Sequence, residues 1–189
     1  MRPMNSYHLE YCASPQWRQI VEKTILPAAL REVDLGPDVL EIGPGPGFTT
    51  DVLRARVESL TAVEIDVDLA SALAARLAET NVEVVQGDAA SLGFSDDHFS
   101  GAASFHMLHH IETTEAQDEV FGEVARVLRP GGTFVAADGI ENEETRAFHV
   151  DDIYNPIDPD ELRRRLSRIG FSAIEIAVYD MGWLCRARA

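Results

Sequence analysis

Residues 39–47 read Val-Leu-Glu-Ile-Gly-Pro-Gly-Pro-Gly, and a carboxylate, Glu64, closes a second apolar run further on. Glycines at 43, 45 and 47 permit backbone conformations that a Cβ would forbid and let the main chain approach a ligand closely. A strand-end carboxylate placed about twenty residues beyond such a turn can accept both hydroxyl hydrogens of a ribose. Turn and acid together point to a ligand built on a nucleoside. A dinucleotide fingerprint would need G-x-G-x-x-G, its third glycine packing helix on strand and its helix N-terminus facing a pyrophosphate. Phe48 stands at that third position. Glu41, an acid inside the first strand, suits instead a ligand with a positively charged amino-acid end and no phosphate.

Other groups with chemical potential are fewer. Three of the six histidines, His106, His109 and His110, fall within five residues of one another. An imidazole with a pKa near about 6.5 is suited to taking a proton at neutral pH. His149, Asp151 and Asp152 have ligand-type side chains but read as a solvated loop, so no metal site is expected. Cys12 and Cys185 are far apart and lack C-x-x-C spacing, which marks them as inert thiols.

Local signals set the elements that must position these groups. Ser14-Pro15 supplies an N-cap and a first-turn proline, and Trp17, Ile20, Val21, Thr24 and Ala28 recur at helical spacing. This predicts a helix over about 15–32, kinked at Pro27. Strands are expected at about 38–42, 60–65, 82–85, 99–105 and 132–138, with helices at about 46–57, 67–79 and 115–128. Arg129-Pro130-Gly131-Gly132 is a helix stop and turn. Asp158-Pro159-Asp160-Glu161 reads as a capping box for a helix ending at Gly170, with Leu162 and Leu166 facing a core and Arg163, Arg164 and Arg165 on a solvated face. Apolar runs at 171–178 and 182–187 are too close together for a crossover helix and must pair antiparallel. The fold class is therefore α/β: a doubly wound, seven-stranded Rossmann-like sheet, mostly parallel with an antiparallel C-terminal hairpin strand and helices on both faces.

Length and composition fit this reading. The 189 residues suffice for one domain, with 1–36 as an N-terminal helical lid, 37–189 as the cofactor-binding core and 139–157 as a variable lid segment. Hydrophobic content of 46% and charged content of 25% are those of an ordinary globular chain. No apolar run is long enough to span a membrane, and residues 1–10 have no apolar signal core, so a cytoplasmic location and no membrane partner are expected. A net charge of −16 would repel a phosphate backbone, which disfavours nucleic acid as partner.

Over roughly 38–138, and more loosely over 158–188, the chain resembles the class I S-adenosylmethionine-dependent methyltransferases of the small-molecule type. The resemblance rests on the G-x-G-x-G turn, Glu64, Gly87-Asp88-Ala89, Phe99 to Ser104, Leu108-His109-His110-Ile111 and Arg129-Pro130-Gly131-Gly132. Ser100 and Gly101 depart from the family's usual acidic and apolar pair. The likeness implies S-adenosyl-L-methionine as cofactor, held by Glu41, Gly43, Gly45, Gly47, Glu64, Ile65, Asp88, Ala89 and Ser104. Asp88 would accept from the adenine amino group and the next backbone N–H would reach a ring nitrogen. Methyl transfer from a sulfonium is an in-line displacement that depends mainly on positioning. His106 and His109 are then the candidate catalytic bases, because the fourth strand ends near the presumed methyl group. Tyr11, Trp17 and Tyr154 would help enclose a small, partly apolar acceptor, whose reacting O, N or C atom stays open. A homodimer is a general expectation for soluble enzymes.

The opening stretch, Val39 to Glu64, also looks like the rRNA adenine dimethylases. Those carry an Asn-Leu-Pro-Tyr-type motif after the fourth strand, where this chain has Ser104-Phe105-His106-Met107. Two further readings are a nicotinamide-dependent oxidoreductase, opposed by Phe48 and the Asp88 motif, and a non-catalytic cofactor-binding regulatory or partner protein.

Overall fold

The computed structural model describes residues 5–189. Seven strands, β1 (Asp38–Ile42), β2 (Ser59–Glu64), β3 (Val82–Gln86), β4 (Phe99–Phe105), β5 (Leu128–Gly139), β6 (Ser172–Tyr179) and β7 (Gly182–Arg188), form one sheet. Their order is β3-β2-β1-β4-β5-β7-β6. The first five run parallel, and β7 pairs antiparallel with both β5 and β6.

Two-residue alternation on the central strands forces cover on both faces. On β5, Phe134 and Ala136 join one core cluster while Val135 and Ala137 join the other. On one side Val120, Phe121 and Val124 of α6 (Thr114–Val127) and Leu162 and Leu166 of α8 (Pro159–Ile169) fill the first cluster. On the other, Val21, Ile25, Leu26 and Ala29 join Leu53 of α4 (Phe48–Leu53). α5 (Val67–Leu77) covers the far end through Leu73 and Leu77.

The helix expected over 15–32 is in fact three pieces: α2 (Pro15–Ile20), a π-helical turn (Val21–Ile25) and α3 (Leu26–Ala29). Pro27 has no N–H to offer the preceding turn, and the ladder widens so that Leu26 N–H bonds the Val21 carbonyl. Two short helices, α1 (Ser6–Cys12) and α7 (Glu143–Phe148), had no clear periodic signal. The reciprocal capping box belongs to α7, between Asn142 and Thr145; at α8, Asp158 caps Asp160 N–H alone.

The expected solvated arginine face holds for Arg163 and Arg164 but not for Arg165, which is 7% exposed. Its Nε donates to Asp118 at 2.7 Å, and its other nitrogens donate to Gln117 Oε1 and the Thr114 carbonyl. A helix whose outer turn meets a second helix buries its flank as well as its apolar stripe, and the guanidinium is paired where it goes under. Ser100 and Gly101 also gain a reason. Ser100 Oγ bridges the Leu35 and Asp38 carbonyls and accepts Asp38 N–H, and a Cβ on Gly101 would lie 2.4 Å from the Leu35 carbonyl oxygen. The pair locks the chain's entry into β1. Residues 129–132 bulge out of the β4–β5 ladder, whose register moves from Phe99↔Leu128 to Gly101↔Thr133.

Candidate functional site

β1 delivers the chain into a turn in which Gly43, Gly45 and Gly47 all take positive φ, at +64°, +53° and +87°. Each glycine is required for a different reason. A Cβ at 43 would lie 2.1 Å from Met107 Cγ, and one at 47 would meet Leu73 and the Arg76 guanidinium at 2.4 Å. At 45 a Cβ would meet nothing within 4 Å, because that residue faces open space. Arg76 of α5 clasps the turn from outside, donating to the Pro46 and Gly47 carbonyls and twice to Asp51 at 2.9 Å.

A cavity of ≈ 1180 Å³ opens where β1 to β4 end. Ligand crevices in open α/β sheets lie at such carboxyl ends, and this one exceeds the roughly 300–1,000 Å³ that holds a single drug-sized molecule. Gly43, Gly45, Glu64, Ile65, Asp88 and Ala89 line one half; Tyr11, Trp17, His106, His109 and Tyr154 line the other. The expected site residues therefore converge, with three exceptions. Gly47 turns its back to the cavity to seat the α4 helix. Ser104 is fully buried in β4 with its Oγ unpartnered. Glu41 points beneath the turn, where strand alternation puts it on the face opposite Leu40 and Ile42, and it is Thr49 that reaches the wall.

Glu41 accepts the Thr49 hydroxyl through Oε1, while Oε2 is buried without a partner. Burial pushes its carboxyl up to about 7 against the pull of that hydrogen bond. Glu64 is held differently. Its Oε2 accepts Gly45 N–H and its Oε1 accepts Asp66 N–H, both at 3.0 Å, so the acid and the turn fix one another. Each carboxylate oxygen keeps a second lone pair for a ligand hydroxyl. Asp88 is exposed to the cavity side and caps its own loop through Ala90 N–H at 2.9 Å. A glycine cradle, a strand-end carboxylate in the cavity and a second acid at the next strand end fit a ribose-bearing ligand.

The other half is aromatic and imidazole-rich. Tyr11 packs on Trp17 and on Phe148, and Trp17 meets the His106 ring edge-on at 5.0 Å. His106 itself is left-handed, at φ +53°, its amide tied to the Ala137 carbonyl at 2.8 Å. Burial lowers its imidazole to about 4, leaving it neutral at pH 7 with Nε2 free. His109 Nδ1 lies 2.5 Å from Asp138 Oδ1, and Asp138 also accepts the His109 and Gly139 amides. Burial alone would raise the Asp138 carboxyl, but the His109 charge and hydrogen bond, with His106 beside it, hold it below the usual range. Sequence reasoning missed Asp138; an acid ending a central strand was the available signal.

The loop expected to be solvated at 149–152 is partly buried. The Asp152 side chain is 1% exposed and its Oδ2 meets His8 Nδ1 at 2.9 Å. His8 and His110 are lowered to about 4 and about 2, chiefly by burial, and His149 in the same direction for the same reason. α1 is moored to this loop through Asn5, which donates to the Phe148 and Val150 carbonyls.

Residues 40–136 match the family model described as "Methyltransferase domain". The chain is 36% identical over 72 residues to a probable ribosomal RNA small subunit methyltransferase A of Pyrococcus abyssi, a match covering 38% of this chain and 26% of that protein. It is 32% identical over 135 residues to a 24-methylenesterol C-methyltransferase of Oryza sativa, covering 67% of this chain and 36% of the relative. Both alignments thus span well under half of the relatives' lengths. Among solved structures, an S-adenosylmethionine-dependent methyltransferase from Mesorhizobium loti superposes with a TM-score of 0.74 at 17% identity, covering 89% of this chain and all of the other. That likeness is one of fold. No helix among the described residues is long and apolar enough to cross a membrane.

Proposed function

The chain belongs to the class I S-adenosylmethionine-dependent methyltransferase family, and from that premise we propose that it transfers a methyl group from S-adenosylmethionine to an O, N or C atom of a small, partly apolar acceptor. One observation carries the reading. The glycine turn, Glu64 and Asp88 share a continuous cavity with the Trp17, His106 and Tyr154 chamber, so a nucleoside-bearing cofactor and a second molecule can lie side by side.

When bound, S-adenosylmethionine supplies an electrophilic methyl on a sulfonium whose departure leaves a neutral thioether. The chain's own residues do the rest. Gly43 and Gly45 let the backbone close on the cofactor, Glu64 takes the ribose hydroxyls, and Asp88 takes the adenine amine. Of the expected 1–36 lid, α1 and α2 serve with segment 139–157 to close the chamber, the residues from Val21 to Leu30 being core instead, and Tyr11, Trp17 and Tyr154 exclude water from it and orient the acceptor. For an acceptor that must lose a proton, the imidazoles of His106 and His109 are the groups to receive it, Asp138 fixing the orientation of the His109 ring through Nδ1. The sterol-acting relative is consistent with an apolar acceptor. The ribosomal RNA relative matches a shorter stretch, and the −16 charge speaks against an RNA backbone.

Calorimetric titration with S-adenosylhomocysteine tests the cofactor half, with binding expected for the wild type and lost or much weakened in Glu64→Gln. A mass-resolved screen of small hydroxyl, amine and activated-carbon acceptors with S-adenosylmethionine tests the other. Absence of binding to folded protein refutes the reading. Binding without turnover across the panel favours a regulatory role.

A further inference from the structure

Four imidazoles from three separate stretches meet on the chamber wall. His8 comes from α1, His109 and His110 from the 3-10 turn Leu108–His110 after β4, and His149 from the residue that ends α7. One ring nitrogen of each lies within 4.8 Å of one from every other, and all four residues are over nine-tenths buried. Every Nδ1 already has a partner. His8 meets Asp152 at 2.9 Å, His109 meets Asp138 at 2.5 Å, His110 meets the Ile153 carbonyl at 3.2 Å and His149 meets the Thr145 carbonyl at 2.6 Å. A ring that donates Nδ1–H presents a bare lone pair on Nε2. The Nε2 atoms of His109 and His149 are buried with no hydrogen-bond partner.

This arrangement is what metal sites require. An imidazole ligand is ordinarily oriented by its other N–H, bonded to a carboxylate or a backbone carbonyl. We infer that Nε2 of His8, His109, His110 and His149 bind one divalent first-row transition ion, zinc foremost, which fastens the lid to the core. Four nitrogen donors select zinc and its neighbours over magnesium or calcium, which take oxygen ligands. Tetrahedral zinc with bonds of about 2.0–2.1 Å sets its nitrogens about 3.4 Å apart. Ring nitrogens, one from each of the four histidines, already lie within 4.8 Å of one another, so the shift needed to bring four donors onto one ion is of the size of small side-chain rotations. Asp138 and Asp152, each behind a ligand and with side chains 0% and 1% exposed, supply two negative charges against the ion's two positive ones. With the ion bound, His109 Nε2 is a ligand, and proton acceptance falls to His106.

The inference does not depend on methyl transfer, and its test reads metal rather than turnover. Tag-free protein, stripped with a chelator, is titrated calorimetrically with Zn²⁺ and with Mg²⁺, and its melting is followed alongside. One Zn²⁺ per chain, a raised melting temperature and no response to Mg²⁺ are expected, with visible ligand-field bands on Co²⁺ loading. His149→Ala should abolish stoichiometric binding. Asp152→Asn keeps the shape of the site and should weaken binding about 10- to 100-fold. Hydrogen exchange in α1 and α7 should slow on zinc binding. No zinc binding by the folded wild type overturns the proposal, and so does binding that survives unchanged in both variants. Cofactor titration of the same stripped protein separates this outcome from failure of the methyl-transfer reading.

Discussion

Replacing Glu41 with glutamine should flatten part of the protein's pH–stability profile. Glu41 is 1% exposed, one of its oxygens has no partner, and burial raises its carboxyl to about 7 from an ordinary 4.5. A group whose folded-state pKa is raised binds its proton more tightly in the native state than in the unfolded one. Its stabilising contribution is complete below about pH 4.5 and is lost as pH climbs through 7. At about 1.4 kcal/mol per pKa unit, the full span is on the order of 3 kcal/mol, and between pH 5 and pH 8 it is roughly 2–3 kcal/mol. The substituted amide cannot titrate but can still accept the Thr49 hydroxyl. Urea unfolding of both proteins at the two pH values gives a double difference in which all other titrating groups cancel. The wild type should lose roughly 2–3 kcal/mol more than the variant on going from pH 5 to pH 8. By melting, this is about 5–10 °C for a chain of this size. A double difference below about 0.5 kcal/mol, or one of opposite sign, would show that Glu41 is ionised in the native state at neutral pH and that the burial argument is wrong.

Gly45→Ala should fold, at a cost of about 1–2 kcal/mol for its left-handed backbone, yet fail to bind S-adenosylhomocysteine in calorimetry. Gly43→Ala meets Met107 as well and should lower the melting temperature further. Glu64→Gln should weaken cofactor binding about 10- to 100-fold, the worth of a charged hydrogen bond, with folding followed by circular dichroism. His106→Ala should cut turnover about 10²- to 10⁴-fold for an acceptor that loses a proton while leaving the cofactor dissociation constant unchanged. Arg165→Ala leaves the buried Gln117 Oε1 without a donor and Asp118 with Arg168 alone, and should cost about 1–3 kcal/mol in urea unfolding, whereas exposed Arg164→Ala should stay within about 0.5 kcal/mol.

The legible parts of this chain were those encoded locally. Apolar runs, caps and glycine turns recur within a few residues of the elements they govern, so β1 to β5 and the pairing of β6 with β7 could be anticipated from spacing alone. The glycine turn with Glu64 and Asp88 was readable because all three follow strand ends, and a parallel sheet brings strand ends together. Arg165 was misplaced because helical periodicity reports one apolar stripe and says nothing of a second helix pressed against its flank. The inward turn of Glu41 is set by strand alternation, which the glycine signal beside it obscured. His8 and His149 lie 141 residues apart, and no local pattern announces that α1 and α7 will meet over the turn after β4. Helices as short as α1 and α7, of seven and six residues, carry too few turns for periodicity to register.

The place of β7 between β5 and β6 has a consequence for how the molecule is made. During synthesis the first five strands can assemble while β5, whose segment 133–138 is buried in the finished protein, still has one side unpaired. An open apolar edge of that kind invites pairing with other chains. The segment that seals it, Gly182–Arg188, is translated only after α8 and β6. A nascent chain stalled before Gly182 should therefore be the species most prone to clump and the one most in need of a chaperone.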